Sequence, residues 1–138
     1  MTFATWLPVD AGTDVGDLLG GAGDALRALY ASLWEAGVDP AVLSACQEAI
    51  EATVGARPRT TSGTVDAATA AAVMFAEQYV VDAHGVTDAQ AAALHEHFTD
   101  AQLAALTTAI ATFDALARVR ALLAVAGGTP VTFTMEAD

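Results

Sequence analysis

Glu77 and His84 are residue types with which a small domain can do acid–base chemistry, and they stand seven apart in the stretch AATAAAVMFAEQYVVDAH, from Ala67 to His84. On one helix that spacing is two turns, so a carboxylate and an imidazole fall on nearly the same face. Gly85 supplies a helix stop, and the negative end of the helix dipole favours the protonated form of His84. Together they form the candidate catalytic pair, suited to proton transfer in the decarboxylation or isomerisation of a small organic acid. The same residues also read as a solvated helix face ending in a histidine cap.

The remaining reactive residues carry less. His95, Glu96 and His97 look like a metal cluster, but side chains two apart on a helix diverge, whereas helical two-histidine sites use i and i+4. No metal site is assigned and no cofactor is expected. Glu48 and Glu51 lie one turn apart, which also describes an ordinary acidic face. Cys46 is the single cysteine, so it has no internal disulfide partner, and its apolar neighbours mark it as core. Asp114 and Arg118, at i and i+4 with the acid first, form a helix pair worth about 0.3–0.5 kcal/mol. Arg118 and Arg120, together with the loop residues Arg57 and Arg59, are the candidates for holding an anionic ligand.

Composition bounds the partners. The chain has 138 residues, a net charge of −12 and five basic residues, all arginine. That balance repels phosphate backbones and anionic lipid, so neither nucleic acid nor membrane is expected as a partner. The opening MTFATWLPVD has no basic and apolar leader pattern, and no apolar run approaches the roughly 18 residues of a membrane span. A cytoplasmic location is expected. The hydrophobic fraction of 54% points to apolar surface covered by another copy, hence a homo-oligomer.

The elements that position these residues follow from periodicity and caps. One domain over 1–138 is expected: an irregular arm at 1–21, a helical body at 22–126 and a short extended tail at 127–138. Leu26, Leu29, Tyr30, Leu33 and Trp34 give a helix over Ala22–Ala36, stopped by Gly37. Asp39 and Pro40 start a second helix that ends at Gly55, and ARPRTTSGTV follows as a loop. Asp66 caps the helix that carries Glu77. The sequence TDAQ occurs at Thr87 and again at Thr99, and each predicts a capping box opening a helix. The first helix ends near Phe98, and the second runs from Asp100 to about Val125 with Leu103, Leu106, Ile110, Phe113, Leu116 or Ala117, and Ala121 inward. Val119, Leu122 and Leu123 lie off that stripe, which suggests a subunit contact. The fold class is therefore all-α, a compact bundle of about five helices.

FAEQYVVDAHGVTDAQ, followed by HFTDAQL and FDALARVRALL, resembles the carboxymuconolactone decarboxylase and alkylhydroperoxidase D-like family over roughly residues 38–125. The resemblance implies that family's helical bundle. In its thiol-dependent members a pattern E-x(11)-C-x-x-C-x-x-x-H carries the chemistry. Anchored on Asp39, Pro40 and Gly55, those four positions fall on Ser44, Ala56, Arg59 and Gly63, and none matches. The segment between Gly55 and Phe75 is also shorter than the resemblance implies. Thiol peroxidase turnover needs an attacking and a resolving thiol, so it is expected to be absent. Two functions stay open. One is a non-catalytic, oligomeric protein that binds a small-molecule ligand or a partner. The other is a cysteine-independent acid–base enzyme using Glu77 and His84.

Overall fold

The computed structural model describes residues 7–10, 12–55, 65–124 and 131–135. Its elements in order are β1 (Leu7–Pro8), α1 (Val15–Leu19), α2 (Gly21–Leu33), α3 (Pro40–Val54), α4 (Ala67–Asp82), a 3-10 turn (Ala83–Gly85), α5 (Asp88–His97), α6 (Asp100–Leu122) and β2 (Leu123–Ala124). The architecture is all-α, with six helices among the described residues where about five were expected. The two short strands pair in parallel, Leu7 opposite Leu123.

The helix starts are made by the side chains the sequence offers. Asp39 accepts from the Ala41 N–H at 2.9 Å with Pro40 behind it, and Gly55 closes α3 in the left-handed region at φ 85°. Asp66 accepts from the Thr69 N–H at 2.7 Å and opens α4. Both TDAQ segments form complete capping boxes, Thr87 with Gln90 and Thr99 with Gln102. Residues 56–64, which hold all of the expected loop but Val65 and include both of its arginines, lie outside the described residues.

The extra helix is α1, within the stretch expected to be irregular. Glycine content masked its cap: Asp14 accepts from the N–H groups of Gly16 at 2.9 Å and Asp17 at 3.4 Å, and so starts a helical turn. Gly20, at φ 59°, turns the chain directly into α2. The two helices then touch through glycine, because a Cβ on Gly23 would sit 1.9 Å from the Gly16 carbonyl oxygen.

The core lies where α3 packs on α4 and α6. Leu43, Cys46 and Ile50 of α3 meet Ala72 and Ala76 of α4 and Leu106, Ile110 and Phe113 of α6, all essentially sealed from solvent. Small residues on the buried line of α4, Thr69, Ala72 and Ala76, let α3 and α4 approach closely. Above this layer the ring of Tyr30 packs 5.9 Å from Phe113 and 6.0 Å from Phe133, and Trp34 lies 5.8 Å from Phe113. Such aromatic pairs add about 0.5–1.5 kcal/mol each beyond their burial. The Gln47 Nε2–H donates to the Tyr30 hydroxyl at 2.7 Å, which gives that phenol a partner at the edge of the cluster.

Phe133 belongs to the tail, and the tail is part of the core. Of the described tail residues, Val131 and Phe133 are buried and Thr132 pairs with Asp14. The tail also shortens α6, which ends at Leu122 and not near Val125. The Val131 N–H donates to the carbonyls of Arg120 and Leu123, both at 3.2 Å, and Leu123 leaves the helix to pair with Leu7. Gly127 and Gly128, the expected stop, lie outside the described residues.

Arg27 ties arm, α2 and tail together. Its largely buried guanidinium donates to the buried Asp14 at 3.1 Å and the Thr134 carbonyl at 2.8 Å, and at the surface to Asp17 at 3.0 Å and Asp24 at 3.4 Å. Asp14 in turn accepts from the Thr134 N–H. Burial pushes the Asp14 carboxyl up, but the hydrogen bonds from Thr134, Asp17 and Gly16 outweigh it and hold the group below its ordinary value.

Candidate functional site

Glu77 and His84 are held by different backbone. Glu77 is half-buried on α4 and lines a shallow depression of about 310 Å³ with Met74, Gln78, Val81 and Gln90. His84 is not part of that wall. The helix ends at Asp82, whose φ of −162° and ψ of 101° are extended, and whose carboxylate accepts from the His84 N–H at 3.0 Å. That break removes the two-turn register, and the imidazole stands exposed on the 3-10 turn.

The arginines proposed for an anion point to different neighbours. Arg118 donates to Asp114 at 2.8 Å, as the i, i+4 spacing implied, and to the Val80 carbonyl at 2.8 Å, which joins α6 to α4. Arg120 donates to the Val131 carbonyl at 2.9 Å and lies 3.7 Å from the buried carboxylate of Glu51 on α3. Each guanidinium fastens α6 to another element, and the two do not converge. His95 lies 3.9 Å from Asp100 at the surface, and no group of three potential metal ligands occurs among the described residues. Cys46 is 0% exposed, and burial pushes its thiol up to about 12, so almost no thiolate exists near neutral pH. Ser44 is exposed on α3.

A concave surface of another kind lies between α1, α2 and α6. It measures about 650 Å³, within the range typical of small-molecule sites. Val15, Leu18 and Leu19 of α1 and Leu26 and Leu29 of α2 form one wall. The other is the face of α6 from Thr107 to Val119, with Leu123 at its end. Leu18 is 59% exposed and Leu29 42%, which is unusual for leucines grouped on one surface.

Three threonines on α6 line the groove, but their hydroxyls turn back to their own helix. Thr107 donates to the Leu103 carbonyl at 2.7 Å, Thr108 to Ala104 at 2.8 Å and Thr112 to Thr108 at 2.8 Å. What remains towards the groove is hydrocarbon. No described lining residue is charged. The groove therefore has the chemistry of a binding surface and lacks the groups of an acid–base site.

Sequence reading missed this groove because its walls come from segments about ninety residues apart. The signal it did hold was the set of apolar residues off the main stripe of α6, and Val119 and Leu123 of that set line the groove. No helix among the described residues is long and apolar enough to cross a membrane. Compared with protein-family models, with curated proteins and with solved structures, the chain matches none.

Proposed function

We propose that this chain is a non-catalytic binding protein, built on a scaffold akin to the carboxymuconolactone decarboxylase-like family, that holds an apolar small molecule in the groove between α1, α2 and α6. The observation that carries the reading is the concentration of exposed leucine and methyl-faced threonine around about 650 Å³ with no charged residue in the described wall. Covering a fully exposed leucine stabilises a complex by roughly 1.5–3 kcal/mol, so the partial covering of Leu18, Leu19 and Leu29 supplies a useful driving force. Self-association, expected from composition and at Val119, Leu122 and Leu123 of α6, is proposed instead at the outer stripe of α4, because Val119 and Leu123 line the groove. Met74 there is 58% exposed and Val81 75%, and neither lines the groove.

Binding of the neutral fluorophore Nile red tests the assignment. One dye per chain is expected for the native protein, and Ala115→Trp, which fills the groove from an exposed position on α6, should abolish it. Val81→Trp, Glu77→Gln and His84→Ala should leave binding unchanged. Dye binding indifferent to Ala115→Trp would overturn the proposal.

A further inference from the structure

The groove's shape and charge narrow its occupant further, given that it is the binding site. The wall formed by α6 from Thr107 to Val119 is roughly 18 Å long at 1.5 Å per residue. A volume of about 650 Å³ drawn out along that length makes an elongated trough, not a round pocket. An extended hydrocarbon chain fits it.

Charge decides what the chain can carry at its end. A carboxylate or phosphate head needs a cation or a set of donors, since an unpaired anion against apolar surface loses its hydration without return. Of the arginines on the surrounding helices, Arg27 is held by Asp14, Asp17 and the Thr134 carbonyl. Arg118 is turned to Asp114 and Val80, and Arg120 to Val131 and Glu51. The threonine hydroxyls are spent within α6. A net charge of −12 adds a field that repels any anion on approach.

We infer that the groove takes an uncharged single-chain aliphatic molecule, of the long-chain alcohol or neutral ester class, and discriminates against the fatty acid of the same chain length.

The test uses the full chain, with Nile red displaced at neutral pH by 1-dodecanol or by dodecanoate, below their aggregation limits. The alcohol is expected to displace the dye, and dodecanoate to need a concentration at least about tenfold higher, the equivalent of about 1.4 kcal/mol. Thr108→Lys, at an exposed site on the groove wall, should selectively strengthen dodecanoate and so close that gap. Equal displacement by both, or tighter binding of dodecanoate to the native chain, overturns the head-group inference and leaves the groove assignment standing. Absence of any dye binding removes the groove assignment itself. Sedimentation showing a dimer that Ala115→Glu dissociates would give the groove to a second copy, and would also overturn the inference.

Discussion

Gly23→Ala sets two effects of known size against each other. In a helix interior alanine is favoured over glycine by about 0.8–1.0 kcal/mol, so propensity alone makes the substitution stabilising. The packing of α1 on α2 says otherwise. The new Cβ would lie 1.9 Å from the Gly16 carbonyl oxygen and 2.7 Å from its carbonyl carbon. Carbon to carbonyl-oxygen contacts settle at about 3.3–3.6 Å, so α1 must withdraw by roughly 1.4 Å. It cannot do so freely, because Asp14 at its start is bonded to Arg27 and to Thr134 of the tail. Overpacking of this kind costs about 1–3 kcal/mol, and the obstacle here is backbone and not a side-chain tip. A backbone obstacle calls for the upper part of that range, about 2–3 kcal/mol, and after the propensity gain is subtracted a net loss of about 1–2 kcal/mol is expected. Urea unfolding followed by tryptophan fluorescence, to which Trp34 beside Phe113 responds, should show a midpoint lower by roughly 0.5–1 M. Gly21→Ala is the control: it opens the same helix with nothing within 4 Å of its Cβ, and should hold or raise the midpoint. A Gly23→Ala midpoint at or above the native value would refute the close approach of the two helices.

Three further outcomes follow from other parts of the molecule. Cys46, with its thiol raised to about 12 by burial, should resist an aromatic disulfide reagent in the folded state near neutral pH and react at once in urea; rapid native reaction would contradict its burial. Because the Asp14 carboxyl is held below its usual value of 3.8, it contributes stability that is present above that pH and lost as pH falls through the folded value. Asp14→Asn should therefore lose stability less steeply below pH 3.8 than the native chain, and parallel acid limbs in urea titrations would be the contrary result. Thr99→Ala removes the hydroxyl that accepts from the Gln102 N–H at 3.2 Å, and with it half of a capping box. It should cost about 1 kcal/mol by urea unfolding, and a change of less than a few tenths would show the box to be dispensable.

Local signals were the legible part of this fold. Asp39–Pro40 with Gly55, Asp66, and the two TDAQ boxes each place a backbone boundary through a bond made within a few residues, so the sequence carries them in full. Cys46 among apolar neighbours also read correctly as core. Long-range effects were not legible. The helix α1 depends on Asp14, which is held in place by residues more than a dozen and more than a hundred positions away, Arg27 and Thr134. The end of α6 depends on the tail folding back to Leu123 and Arg120. The break in register between Glu77 and His84 arises from Asp82 accepting the His84 N–H, a local bond that helical periodicity does not reveal. The groove joins Leu18 and Leu29 to a face of α6, a proximity set by tertiary packing alone.

The central claim, that the working surface of this protein is the apolar groove and not the acid–base residues of α4, is tested most directly by amide chemical-shift mapping during titration with 1-dodecanol. Shifts should gather on Val15, Leu18 and Leu19 of α1, on Leu29 of α2, and on Ala111 and Ala115 of α6. Shifts gathered instead around Glu77, Gln78 and Gln90, with α1 and α6 silent, would contradict it.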